Sequence, residues 1–352
     1  MAGSLDRYRD GRPVAENQGG SPARVAKREL DLRVIRLGPS FAIRFAIAAA
    51  LVVGSVLVDR PAFAWGVLVL FAILAVPLGR ARSFIFSFVP YATVWFTFTA
   101  LRALADETIL AQTLSTRVSE FERWLFGGQL PTIRLQDRFF GQYSPPYHLH
   151  WYDYFFTGIH WSYFIVPHIA AVLIWHRDPR LFRHFLGAMT ILLAVGLAIY
   201  FVIPSRPPWN APEQLDSPSA PNAYRIMALV GEELGGGVYR ASYRVIGESN
   251  PWAAMPSIHM AFAFLFVFPA FYFGKRWGYL ALAYSALMGY ALVYLGEHYV
   301  IDVIVGMMIA TYGWLAARTW LHRISPVVLP HLPGLAGRHT VAGADGGASV
   351  PR

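Results

Sequence analysis

The stretch PSIHMAFAFLFVFPAFYF, residues 256–273, carries no Asp, Glu, Lys or Arg and is long enough to cross a hydrocarbon core. Yet it opens on a proline, a serine and a histidine, set at the mouth of an otherwise apolar run. Ionisable groups inside or at the lip of a bilayer are costly and mark functional positions by default. What surrounds this histidine therefore decides both the fold and the chemistry.

The rest of the chain is similarly apolar. Of 352 residues, 55% are hydrophobic and 15% aromatic against 14% charged, and the mean hydropathy is +0.40, too high for an ordinary soluble domain. Eight apolar segments approach spanning length: 41–58, 62–78, 83–101, 155–175, 185–203, 256–273, 279–295 and 298–317. The expectation is an all-α fold, a polytopic membrane helix bundle with interfacial amphipathic helices. The first forty residues are polar and basic, without the charged start and apolar run of a cleavable signal peptide.

Positive charge falls on alternate loops. Arg24, Lys27, Arg28, Arg33 and Arg36, the run Arg80 to Arg82, the stretch HRDPRLFRH at 176–184, Lys275 with Arg276, and Arg318 with Arg323 share one face of the expected bundle. The opposite short turns, DRP at 59–61 and GEH at 296–298, are poor in Lys and Arg. Lys and Arg are retained on the cytoplasmic side, so both termini are expected there. The formal charge of +9 and pI near 9.8 are then a membrane signature, and nucleic acid is not an expected partner. The absence of cysteine excludes disulfides, thiol catalysis and thiolate metal sites.

Two longer segments belong to the outer side. In the first, an amphipathic helix is expected to stop at Gly127 and Gly128, and a short helix to follow Pro131 with Thr132 as cap. Such helices lie along the headgroup plane. The second, residues 204–254, is rich in Pro, Gly and Ser, with at most one short helix around 224–233. Residues 1–38 and 324–352 have the composition of disordered tails flanking a transmembrane catalytic domain at 39–323.

Three outer-side stretches gather the ionisable groups: VIPSRPPW at 202–209, MPSIHM at 255–260 and YLGEHYVIDVIVG at 294–306. His298 and Asp302 are four apart, so on a helix they share a face, where the carboxylate can fix the imidazole's tautomer and activate its other nitrogen. Taken alone, an HxxxD pair is more often a local hydrogen bond than a catalytic dyad. His259 stands at a second helix start, beside Pro256 and Ser257, where backbone N–H groups favour an anion and an imidazole can protonate a leaving oxygen. Arg206, held between prolines, offers a planar fork suited to phosphate. Together they point to a bound phosphoryl group.

SRP, PSIH and GEHYVID resemble the three signature blocks of the type 2 phosphatidic acid phosphatase (PAP2) superfamily. FGGQLPTIRLQ, PPW, PSIHMAFAF and YLGEHYVIDVIVG are similar to landmarks of its inositol phosphorylceramide synthase-like branch. The likeness covers residues 121–308. It implies a six-helix core and a metal-independent reaction without cofactor. His298 would attack phosphorus to form a phosphohistidine, Asp302 would orient it, and His259 would act as acid and then base. Arg206 and Ser257 would hold phosphoryl oxygens, and Trp209 would wall the lipid or sugar. The resemblance is incomplete: Ile199 and Leu292 occupy positions where the superfamily usually has a lysine and an arginine, losses that the inositol phosphorylceramide synthase-like branch tolerates and for which Arg240 or Arg244 could substitute.

The resulting expectation is a membrane phosphotransferase that moves a phosphoalcohol headgroup, such as inositol phosphate, from a phospholipid donor to a lipid or glycan hydroxyl on the non-cytoplasmic face. A lipid phosphate phosphatase shares its first step, with water as acceptor. A zinc-dependent intramembrane hydrolase using His259, His298 and Asp302 is a third possibility, and an ion-coupled transporter a fourth. The histidines between 148 and 168, set among tyrosines and tryptophans, look like an interfacial aromatic belt.

Overall fold

The computed structural model describes residues 81–324 apart from 103, 106–107, 109, 111–113, 143–144, 212–222 and 238–252. The expected spans at 41–58 and 62–78 and, Ile324 apart, both expected tails lie outside these residues. So do Arg240 and Arg244.

Each remaining expected span is helical. They are α1 (Ala81–Arg102), α4 (Trp151–Trp161) with α5 (Val166–Arg177), α6 (Pro179–Val202), α8 (Ile258–Leu265) with α9 (Val267–Phe273), α10 (Lys275–Tyr294) and α11 (Val300–Ile324). Three of these are long and apolar enough to cross a membrane unaided, α1, α6 and α11; the α4–α5 pair, bent by 50°, makes up to a fourth. Among the described residues there is no strand, only an isolated parallel bridge between Ser205 and Ala253. The protein is an all-α membrane helix bundle.

Proline explains where two of the spans break. Pro269 can neither donate to Leu265 nor leave room for that carbonyl, and the helix through 258–273 is interrupted at Phe266. Pro167 stands in the same relation to Tyr163, inside the short 3-10 turn Ser162–Phe164 that separates α4 from α5. Elsewhere the chain uses ordinary stops and starts. Asp178 accepts from the N–H groups of Arg180 (2.8 Å) and Leu181 (3.1 Å) and opens α6 with Pro179 behind it.

The core forms where α6, α8, α10 and α11 meet, α11 running along α6 and crossing α8. Gly306 allows that crossing: a Cβ there would stand 2.5 Å from the carbonyl oxygen of Ser257. A glycine in a helix interior costs about 1 kcal/mol relative to alanine, here offset by the close approach of two backbones. At the α1 end, Phe84 stacks on Phe88 (4.2 Å) and Phe88 on Phe182 (4.9 Å), all buried. Phe86, Met308, Tyr312 and Leu315 turn outward on α1 and α11, the large apolar surface a bilayer would cover.

Two amphipathic helices cover one end of the bundle, α2 (Arg117–Leu125) and α3 (Pro131–Phe139). Between them Gly127 and Gly128 adopt positive φ (72° and 94°), and the Gly128 N–H closes α2 on the carbonyl of Arg123. The cap of α3 differs from expectation. Leu130, extended, is the N-cap and Pro131 takes the first helical position, so Thr132 is buried inside the first turn. Trp124 and Leu125 remain exposed, while Glu122 and Gln136 face inward. The long connection between α6 and α8 supplies α7 (Ile226–Glu233), the one short helix expected there.

Candidate active site

The turn between α10 and α11 carries the first histidine. Gly296 has φ +81°, and a Cβ there would lie 2.5 Å from the Tyr224 carbonyl, so the chain turns where only glycine fits. The N–H groups of Glu297 and His298 then both donate to the carbonyl of Leu292 (3.0 and 3.1 Å). His298 Nδ1 faces Asp302 Oδ2 at 3.3 Å, and the same oxygen accepts the Tyr299 N–H at 2.9 Å. Both side chains are buried, so the carboxylate holds the ring by Nδ1 and leaves Nε2 for chemistry.

The second histidine enters from the start of α8. Ser257 is the N-cap, its hydroxyl oxygen accepting the Met260 N–H at 3.3 Å, and its own N–H donates to the Asp302 carbonyl at 3.1 Å. The expectation that the backbone after Pro256 is left free thus needs correction at Ser257, whose N–H joins α8 to α11. The serine hydroxyl keeps its proton to donate. Tyr200 on α6 donates its hydroxyl to the Pro256 carbonyl (3.0 Å), fixing the approach to the cap. The rings of His259 and His298 then stand 5.7 Å apart between centroids, inclined by 60°.

The third stretch is drawn to the same place by its backbone. Ser205 accepts the Ala254 N–H at 3.0 Å, the Arg206 N–H donates to Ser115 at 3.2 Å, and the Trp209 N–H donates to Gly296 at 3.2 Å. Arg206 and Trp209, both half-buried, therefore sit on a segment tied to the entry of α8 at one end and to the His298 turn at the other. Six residues expected at the site, His298, His259, Asp302, Arg206, Ser257 and Trp209, belong to these three mutually bonded segments.

Several neighbours were not anticipated. The Glu122 carboxylate accepts the N–H groups of Val300 (3.1 Å) and Ile301 (2.9 Å), capping α11 from a helix far away in sequence. Burial, aided by the nearby Asp302 charge, pushes its pKa up to about 7 against the pull of those two donors. Arg225 pairs with Glu297 through two hydrogen bonds (2.7 and 3.2 Å) and lays its guanidinium 4.6 Å over the Trp209 ring. Gln136 binds the Tyr224 N–H and the carbonyls of Tyr224 and Tyr294, stitching α3 to the turn (2.7, 2.9 and 2.8 Å). Arg102, at the end of α1, lies 5.8 Å over the Tyr200 ring and close enough to His259 for its charge to act there.

Other candidates resolve differently. Asp153 is buried, accepting the His150 N–H at 2.7 Å and the Tyr294 hydroxyl. His160 leaves the expected aromatic belt: it is buried, its ring 4.7 Å from that of His259. Among the described residues no group of three or more His, Asp or Glu is placed to hold a metal ion.

Comparison with known proteins places this geometry. A profile of the PAP2 superfamily matches residues 116–316. The chain is 26% identical over 166 residues to a phosphoinositol dihydroceramide synthase of Bacteroides thetaiotaomicron, covering 46% of this chain and 54% of that protein. It is 24% identical over 159 residues to an inositol phosphorylceramide synthase of Candida albicans, covering 43% of this chain and 32% of that protein. The match thus spans about half the length of one curated relative and a third of the other. No solved structure matches. The profile takes in more than half of the chain, including all three segments that meet around His298, and the chain belongs to the PAP2 superfamily.

Proposed function

We propose that this protein is an integral-membrane phosphotransferase that moves a phosphoalcohol headgroup from a phospholipid to a lipid or glycan hydroxyl. The observation that supports it most is the 5.7 Å spacing of the His259 and His298 rings, with Asp302 on the Nδ1 side of His298. One phosphorus atom fits between two such imidazoles. His298 Nε2 forms a bond to phosphorus, the bond from phosphorus to the diacylglycerol oxygen breaks, and His259 gives that oxygen its proton. In the second half His259 takes the proton of the acceptor hydroxyl, the acceptor oxygen bonds to phosphorus, and the P–N bond breaks. Nδ1–H stays on Asp302 throughout, which stabilises the charge that develops on His298.

Arg206 and the Ser257 hydroxyl would hold the phosphoryl oxygens, and Arg102 adds positive charge from α1. Trp209, backed by Arg225, would wall the headgroup. Similarity to two inositol phosphorylceramide synthases makes phosphoinositol the first headgroup to test. Purified protein in vesicles of phosphatidylinositol and a fluorescent ceramide or diacylglycerol should form a new phosphoinositol lipid, and His298→Ala should lower turnover at least ~10³-fold. Release of inositol phosphate without a new lipid would assign water as the acceptor. Full activity in His298→Ala would overturn the reading.

A further inference from the structure

One short piece of chain sets three rings against His259. The ring of His160 lies 4.7 Å from that of His259, inclined by only 30°. Three residues on, Tyr163 lies 4.1 Å away at 49°, and Phe164 closes the arc at 6.3 Å and 89°. His160 is 1% exposed and Tyr163 7%. These residues occupy the end of α4 and the 3-10 turn where the span bends by 50°.

We propose that His160, supported by Tyr163, is a positioning residue for the acid–base step: its ring stacks on His259 and holds that imidazole in line with His298. The inference rests on the roles proposed above for those two histidines. Three imidazoles then stand in series, His160, His259 and His298, with centroid spacings of 4.7 and 5.7 Å. Their roles differ. His298 reaches phosphorus, His259 reaches the oxygens, and His160 touches neither. What His160 supplies is a flat face that limits rotation of His259 about χ1 and χ2, so that no reorientation is needed when the proton moves. The same face lies against the imidazolium each time His259 is protonated, a favourable contact for a cation.

If the face of the ring is what matters, a benzene ring should replace it. His160→Ala is expected to lower kcat for phosphoinositol transfer roughly 10- to 100-fold while KM changes less than about 3-fold, because the substrate-binding groups are untouched. His160→Phe should recover kcat to within about 3-fold of the wild type. Tyr163→Leu, which removes the neighbouring ring and leaves the His160 site filled, should move kcat in the same direction as His160→Ala. A second measurement does not depend on turnover. With ring-labelled histidine, the His259 resonances of the full-length protein in detergent should shift or broaden in His160→Ala and return toward wild type in His160→Phe.

Wild-type kcat together with unmoved His259 resonances in His160→Ala would overturn the proposal. So would a folded His160→Phe as slow as His160→Ala, since the ring nitrogens rather than the face would then be at work. Should the wild type transfer no headgroup at all, the proposed reaction fails, while the resonances still decide whether His160 orders His259.

Discussion

Asp302 shows how much one residue carries at this site. Its Oδ2 takes both the His298 ring and the Tyr299 N–H, while its backbone carbonyl takes the N–H of Ser257, so it joins the tautomer of one histidine to the helix start of the other. Asp302→Asn keeps the shape but presents either an amide N–H to Nδ1 or an amide oxygen that no longer carries charge. The expected result is a fall in kcat on the order of 10²- to 10⁴-fold with lipid binding retained, measured as kcat against KM while the donor-lipid fraction of the vesicle is varied. Loss of binding with an unchanged kcat would contradict the orienting role. The HxxxD spacing makes the pairing legible in the sequence, but the pair does not meet on one helical face: His298 stands in the turn two residues before α11 and Asp302 in the first turn of that helix. The carbonyl bond of Asp302 to Ser257 is not legible, since nothing local announces a contact between residues 45 apart in the chain.

At the scale of elements, the start of α11 is held by a group no spacing rule would select. Glu122 belongs to α2, whose pattern of charged and apolar residues reads as an interfacial helix, and outwardly that pattern is correct, with Trp124 and Leu125 exposed. Its buried carboxylate is nonetheless the acceptor for the Val300 and Ile301 N–H groups. Truncation in Glu122→Ala leaves those donors without it and should destabilise the fold by about 1–3 kcal/mol. The pH dependence has a definite sign. With a folded pKa of about 7 against the 4.5 of an ordinary glutamate, the protonated form is favoured by folding. Its contribution is fully present below the unfolded pKa and is lost as pH rises through about 7. Thermal unfolding in detergent should therefore show a wild-type melting temperature that falls over this interval, and Glu122→Gln should remove part of the slope. An identical slope in the variant would place the titration elsewhere.

Gly306 is the corresponding device between α8 and α11. A methyl group there would meet the Ser257 carbonyl at 2.5 Å and the Ala261 nitrogen at 3.3 Å, neither of which can swing away as a side chain would. Gly306→Ala should cost about 1–3 kcal/mol of stability by overpacking and lower kcat, because α8, which carries His259, and α11, which follows the His298 turn, must part. Both are measurable on one preparation, and a variant with wild-type melting and turnover would show that the approach is not needed. Hydropathy locates these helices because lipid selects composition over whole turns. It does not reveal the breaks at 162–165 and 266, which depend on single prolines within apolar runs.

For the whole molecule, the two described basic turns, at 176–184 and at Lys275 with Arg276, lie at the far end of α10 from the turn that carries His298. The Tyr272 hydroxyl donates to Asp178 at 3.2 Å, so the HRDPRLFRH turn and the approach to Lys275 and Arg276 lie together. The site end is closed by the bonds of Gln136 to Tyr224 and Tyr294. Between Lys275 and Tyr294 runs α10, whose 20 residues at 1.5 Å each span about 30 Å, the thickness of a hydrocarbon core. If positive charge marks the cytoplasm, the site opens on the far side, and its donor lipid must come from the outer leaflet. The chain lacks cysteine, which makes the test direct. Lys275→Cys and Leu234→Cys both place a thiol at an exposed position, the first at the basic end and the second on the loop that follows α7. In intact cells a membrane-impermeant maleimide should label Leu234→Cys and reach Lys275→Cys only after permeabilisation. The reverse pattern would turn the molecule over, keeping the chemistry but moving the substrate to the inner leaflet. Equal labelling of both in intact cells would mean that α10 does not separate the two compartments.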